Sequence, residues 1–198
     1  MIRNKFLTAA GVSVALLTAS CESFLEEDPK GSVNDTYALT EEGAEAEVLS
    51  LYQINTSLLE ELFMVGELGN DLLAYGGNVR DYWKGLIQYD ETYMSDNGSN
   101  EGLWKWLYVG LATSNTAIES IENATFSSEE KREQLRSEAH ALRAFYLFQI
   151  VETYGPASYY SEIPIKSPGA IKADQPGIGA FYKRILADLD IADKALKK

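Results

Sequence analysis

Apolar side chains recur every three or four positions in four segments of the chain, a spacing typical of amphipathic α-helices. The first segment begins near Thr40, a residue type suited to an N-cap, with Glu41 and Glu42 in the first turn, where negative charge suits the helix dipole. The second helix is predicted from about Glu101 to Asn123. The inward positions of the first helix are Ala44, Val48, Leu51, Asn55, Leu58 and Leu62.

The third helix has recognisable signals at both ends. Ser127 and Glu130 have the spacing of a capping box, which predicts that the helix opens there. Tyr154-Gly155-Pro156 predicts its end, because glycine adopts a left-handed C′ conformation and proline cannot continue a helix. A stretch containing Pro and Gly follows, over residues 155–179.

The fourth helix completes an all-α prediction. Its apolar stripe consists of Phe181, Ile185, Leu189, Ala192 and Leu196, which places Asp188, Asp190 and Asp193 on a solvated face. No strand pattern of comparable strength appears anywhere in the chain. Trp104-x-x-Leu107 and Ala141-x-x-x-Phe145 are reminiscent of the helical hairpins of tetratricopeptide proteins, although ordinary helix packing explains the same spacing.

The connection between the first two long helices, residues 66–100, is too long for an ordinary loop and is therefore a candidate functional segment. Residues 75–108 hold all three tryptophans, and polar side chains are interleaved with the aromatic ones. Flat rings suit the C–H face of a sugar, whereas amide, carboxylate and guanidinium groups suit its hydroxyls. The candidate ligand contacts, which follow a predicted Gly76-Gly77 turn, are Asn78, Arg80, Tyr82 and Trp83; Trp104 is expected to pack in its helix instead.

Composition excludes several other functions. The formal charge is −13, which argues against nucleic acid as a partner. A single cysteine and a single histidine cannot form a disulfide, a Cys/His zinc site or a Cys/His catalytic pair, so neither a metal nor a cofactor is expected. His140 lies in mid-helix and is expected to be structural. A carboxylate pair for glycoside hydrolysis stays open as an alternative, but no spacing singles one out.

The N-terminus resembles that of a secreted lipoprotein. Residues 1–20 carry Arg3 and Lys5 before an apolar run and small residues, which predicts a signal peptide. Leu17 to Cys21 resembles a lipobox, so Cys21 is the predicted lipidation site, with acyl chains such as palmitate anchoring the chain to a membrane. The acidic segment 21–39 is expected to be a solvated tether, and residues 40–198 the helical domain.

Taken together, these features resemble the SusD/RagB family of outer-membrane nutrient-binding lipoproteins of Bacteroidota. The matching features are the lipobox-like segment, the helix from Trp104 through Asn115 to Ile121, the run Glu138 to Tyr146 continuing to Tyr154-Gly155, and the helix Tyr182 to Leu196. The family's members are usually more than twice as long, so the resemblance covers only their N-terminal portion. It implies a helical fold with tetratricopeptide-like hairpins and long loops.

The resemblance implies a binding protein and not an enzyme. Its expected role is that of a surface-exposed lid or capture subunit, lipid-anchored in the outer membrane, which passes an oligosaccharide or peptide to a SusC-like TonB-dependent transporter. Arg143 matches the family's helix motif and is expected to bind a carboxylate or carbonyls within the fold. A helical-repeat adaptor lipoprotein that binds protein partners is the alternative function.

Overall fold

The computed structural model describes residues 36–71, 73, 81–89, 98–155 and 175–196, which all belong to one compact unit. Within these ranges the chain forms a 3₁₀ turn, Tyr37–Leu39, and five α-helices. An isolated bridge between Thr40 and Thr125 is the sole β-type pairing of the described residues, so the all-α prediction is confirmed. The helices are α1 (Glu41–Glu67), α2 (Asp81–Gln88), α3 (Gly98–Asn123), α4 (Glu129–Tyr154) and α5 (Ile178–Leu196).

The start of α1 confirms its predicted cap. Thr40 has an extended backbone, and its Oγ1 accepts a hydrogen bond from the Gly43 N–H at 3.1 Å. The same hydroxyl donates to the carbonyl of Tyr37 at 2.8 Å. A Cβ at Gly43 would collide with the backbone carbonyl of Tyr37, so a glycine is required for the 3₁₀ turn to lie this close to α1.

The predicted cap of α4 is wrong by one residue. Ser128, and not Ser127, is the N-cap, and its hydroxyl accepts from the Lys131 N–H at 3.2 Å. Ser127 is engaged elsewhere, because its N–H donates to Oε2 of Glu41 at 2.6 Å. Hydrogen bonds from the backbone and side chain of Ser127 lower the pKa of Glu41. The turn between α3 and α4 is thereby fastened to the start of α1.

The other end of α4 matches its prediction in part. Gly155 has φ +57° and its N–H donates to the carbonyl of Val151, so glycine does take a positive φ at the end of the helix. Its ψ of −136° lies outside the left-handed helical region that was expected.

Successive long helices run antiparallel, as in a series of helical hairpins. In α3 and α4, Glu122 pairs with Arg136 near one end, and Trp104 meets Tyr154 near the other. The first and third long helices run parallel, because Lys131 contacts Glu45 and Tyr52 contacts Glu138, both 86 residues apart. This arrangement agrees with the expected tetratricopeptide-like hairpins.

The core lies where α1, α3, α4 and α5 meet, and Tyr146 is its largest fully buried side chain. The Tyr146 hydroxyl donates to the carbonyl of Leu51 at 2.9 Å and lies 2.8 Å from Oδ1 of Asn55. Asn55 therefore belongs on the inward stripe of α1 because it meets a buried polar group. On the other side of the ring, Gly110 lets α3 approach so closely that a Cβ there would overlap Tyr146.

Candidate functional site

The predicted ligand-contacting residues are only partly placed by the structure. Asn78, Arg80 and the predicted lipidation site Cys21 lie outside the described residues. Tyr82 lies in α2, but its side chain is not among those described. Trp83 lies in the same helix and is half-buried. Part of the segment predicted as a loop is thus helical, and the structure neither gathers the four residues into one site nor separates them.

A hydrogen bond connects the residue after α2 to the end of α1. The hydroxyl of Tyr89 donates to the carbonyl of Gly69, just beyond the last turn of α1. Tyr89 has φ +54°, a left-handed conformation that a bulky residue adopts only when its surroundings hold it there. Its side chain is 68% exposed. The junction therefore presents an exposed aromatic ring beside the polar residues Asn70 and Asp71.

Trp104 packs within the helices, as the sequence predicted. Its ring lies 4.5 Å from that of Tyr108 and 4.7 Å, edge to face, from that of Tyr154. The Tyr154 hydroxyl is 3.3 Å from the carbonyl oxygen of Asn100, so it joins the end of α4 to the first turns of α3. Burial, with a smaller contribution from Tyr108, raises the pKa of Tyr154 to about 12. These rings hold α3 against α4.

A buried polar cluster joins α3, α4 and α5. Asp188 is fully buried, and its Oδ1 lies 2.8 Å from Nδ1 of His140. Arg143 donates to both carboxylate oxygens, through Nε at 2.8 Å and Nη2 at 2.7 Å. Arg184 adds a bond of 2.7 Å from Nη2, and the Nη1 of Arg143 reaches Oδ1 of Asn115 at 3.0 Å.

The prediction that Asp188 faces solvent is therefore wrong. Its carboxylate is stabilised in the core by charge-assisted hydrogen bonds, which offset the cost of removing a charge from water. Leu189 takes the outward position instead and is 46% exposed, whereas Asp190 and Asp193 are exposed as expected. Arg143 binds a carboxylate within the fold and His140 is buried beside it, so both are structural, as predicted.

Burial alone would raise the pKa of Asp188. Hydrogen bonds from His140, Arg143 and Arg184 outweigh it and hold that pKa well below its ordinary value. The carboxylate is consequently ionised at neutral pH. The carboxylate has no access to solvent, so its role is to hold α4 and α5 together.

A groove of about 930 Å³ runs along one face of α4. Its floor is apolar, with Ala141, Leu142 and Phe145 from α4 and the exposed ring of Tyr52 from α1. Its polar lining consists of Asn55, Glu130, Glu133, Gln134, Ser137, Glu138 and Lys194. Sequence reasoning missed this groove, because its lining on α4 changes from polar (Glu130 to Glu138) to apolar (Ala141 to Phe145), and a hydrophobic stripe cannot show that a helix face is concave.

Two further observations bear on the chemistry of the described residues. They contain no group of three or more His, Cys, Asp or Glu side chains that could hold a metal ion. None of the helices in the described ranges combines the length and apolar character needed to cross a membrane.

Comparison with known proteins identifies the class and then the family. The four long helices, each antiparallel to the next, define an all-α protein built of helical hairpins. Its fold resembles that of a SusD superfamily protein from Bacteroides thetaiotaomicron, with a TM-score of 0.55 at 16% identity over 79% of this chain. A SusD-like family model, described as "Starch-binding associating with outer membrane", matches residues 23–198. The chain therefore belongs to the SusD-like family.

Two curated relatives come from Formosa agariphila. SusD-like protein P25 is 28% identical over 157 residues, which are 72% of this chain and 29% of that protein. SusD-like protein P38 is 26% identical over 189 residues, 93% of this chain and 36% of that protein. The match with the Bacteroides structure covers 37% of that chain. This chain thus spans about a third of the length of the relatives it matches.

Proposed function

We propose that this protein captures glycans at the bacterial surface and passes them to a SusC-like TonB-dependent transporter. The observation that carries the proposal is the family match over residues 23–198, whose description names starch binding and association with the outer membrane. The acidic surface, with a formal charge of −13, favours a neutral sugar over a nucleic acid or an anionic lipid as ligand.

The proposed ligand contacts lie at and before α2, at Asn78, Arg80, Tyr82 and Trp83. The part of this region that the structure describes supports the choice, since Trp83 on α2 is half-buried and Tyr89, directly after the helix, is exposed. The Tyr89 hydroxyl fastens this helix to the end of α1, which limits the motion of the rings. A preorganised aromatic surface loses less entropy when a sugar stacks on it.

Isothermal titration calorimetry with maltooligosaccharides tests the ligand assignment. Trp83→Ala is expected to weaken binding by about tenfold, because a stacking tryptophan is a typical hot-spot residue. Phe148→Ala is the matched control, since Phe148 is also an exposed aromatic side chain but lies on α4. Circular dichroism verifies that both variants are folded. Equal losses in both variants, or no binding by the unaltered chain to any glycan in a broader panel, would contradict the assignment.

The anchor is proposed at Cys21, where several acyl chains would hold the protein stably on the outer membrane. Metabolic labelling with an alkyne palmitate analogue tests it in a Bacteroidota host. The label is expected on the unaltered protein and absent from Cys21→Ser. Recovery of a TonB-dependent transporter with the detergent-solubilised protein tests the partner, and its absence from a lipidated, folded preparation would count against the lid role.

A further inference from the structure

None of the described residues that line the groove along α4 is among the proposed glycan contacts. Its lining residues extend from Glu130 to Phe145, about 22 Å at 1.5 Å per residue, which equals about four helical turns. Tyr52 borders it on one side, and Lys194 and Ala195 at the end of α5 border it on another. A surface of this length matches about four turns of an α-helix laid along it.

The chemistry of the groove differs from that of a sugar site. Its polar groups already bond to one another: Gln134 donates to Glu138 at 3.1 Å, and the Tyr52 hydroxyl donates to the same carboxylate at 3.0 Å. The Ser137 hydroxyl donates to the carbonyl of Glu133 at 2.8 Å. These bonds leave acceptor sites free on the carboxylates and leave the apolar lining uncovered, so an apolar helix face bordered by cationic side chains suits the groove better than a ring of sugar hydroxyls.

The charges around the groove indicate which residues would flank the apolar face of a helix bound there. Glu130, Glu133 and Glu138 line it, whereas Lys194 is its only cationic lining residue among those described. Opposite charges across an interface steer association and exclude wrong partners. Lysine or arginine on the edges of an incoming helix would therefore pair with these carboxylates, and acidic edges would be repelled.

We propose that the groove binds an amphipathic helix of a partner protein, with an apolar face bordered by lysine or arginine. The helix-in-groove mode uses apolar anchors on one face of the partner helix. Ala141, Leu142 and Phe145 lie within about one turn of α4 and receive anchors at i and i+3 or i+4, while the rest of the helix lies along the polar lining from Glu130 to Glu138.

Synthetic peptides of about 15 residues provide the probe. One set carries leucines at helical spacing with lysine and arginine at the edges, a second has glutamate at those edges, and a third is the first set scrambled to remove the periodicity. Fluorescence anisotropy measures their binding to the chain, produced as Cys21→Ser to prevent acylation. Saturable binding of the basic set alone is expected, and failure of every basic peptide would overturn the proposal.

Charge-reversal variants locate the binding. The pair Glu130→Lys and Glu133→Lys is expected to weaken binding of the basic peptides by about tenfold or more, because like charges then meet across the groove. The pair Glu60→Lys and Asp190→Lys makes the same change in net charge outside the groove and is expected to leave the affinity within about twofold. Equal losses in both pairs would show attraction to the acidic surface as a whole and would overturn the proposal.

Two other occupants would also overturn it. Sedimentation velocity would reveal a dimer if a second copy of the chain fills the groove, and the Glu130→Lys and Glu133→Lys pair would alter that dimer. Competition of a maltooligosaccharide with the basic peptide, lost in the same pair of variants, would show a sugar in the groove instead.

Discussion

Arg143 and Asp188 form a two-pronged ion pair in the core, 45 residues apart in the chain and joined by bonds of 2.8 and 2.7 Å. Both side chains are almost inaccessible to solvent. Because Arg143 also reaches Asn115, one guanidinium connects three consecutive long helices. The hairpin geometry therefore depends on a polar contact as well as on apolar packing.

Replacing Asp188→Asn is expected to destabilise the protein by about 3–5 kcal/mol, because Arg143, His140 and Arg184 would lose the carboxylate they share. Urea unfolding followed by circular dichroism measures the loss. The control Asp190→Asn changes an exposed carboxylate two residues away and is expected to shift stability by less than about 0.5 kcal/mol. A similar small change in both variants would mean that the buried cluster contributes nothing net.

The same cluster predicts how stability depends on pH. The folded-state pKa of Asp188 lies below its ordinary value of 3.8, so its stabilisation is fully present above that value and is lost as the pH falls towards the folded-state pKa. The stability difference between the unaltered chain and Asp188→Asn should be constant above about pH 5. Below about pH 4 it should shrink by up to about 1.4 kcal/mol per pH unit. A difference that stays constant from pH 6 to pH 3 would contradict the assignment of the depressed pKa.

Two glycines give opposite predictions for the same substitution. Gly110→Ala places a methyl group inside the contact distance of three ring atoms of the buried Tyr146, and should cost about 1–3 kcal/mol. Gly66→Ala lies in α1, where no atom of the described residues outside the helix's own backbone comes within 4 Å of the added methyl, and should stabilise by about 0.5–1 kcal/mol, since alanine favours a helix. Thermal unfolding of both variants compares them directly. If Gly110→Ala is also stabilising, the close approach of α3 to α4 is not required.

Local signals in the sequence were enough to predict the four long helices. Thr40 caps α1 as expected, since its hydroxyl bonds only to residues within three positions of it. Ser127 and Ser128 are both suitable caps, and the choice between them depends on Glu41, 86 residues earlier. The burial of Asp188 depends in the same way on His140 and Arg143 in another helix. Helical periodicity predicts that a carboxylate lies on the solvent-exposed face, because the pattern contains no information about partners in other helices.

In the candidate functional site, the sequence correctly predicted the packing of an aromatic side chain on a long helix. The packing of Trp104 followed from its helical register, and the rings of Tyr108 and Tyr154 surround it. The helix around Trp83 was not predicted, because eight residues make only about two turns, too few for a clear periodic pattern among the polar residues nearby. The groove along α4 exists only because α1 and the end of α5 form its sides, and such tertiary concavity leaves no periodic signal.

The Tyr146 hydroxyl provides a final test of how α1 is held against α4. Burial raises the pKa of Tyr146, so the hydroxyl stays protonated and can donate to the carbonyl of Leu51. Tyr146→Phe keeps the ring in place but leaves Asn55 without its buried partner, and is expected to cost about 1–2 kcal/mol in urea unfolding. Tyr52→Phe removes a hydroxyl from an exposed bond between the same two helices and should cost less than about 0.5 kcal/mol. Equal costs in the two variants would show that burial of the Tyr146 bond adds nothing to the contact between α1 and α4.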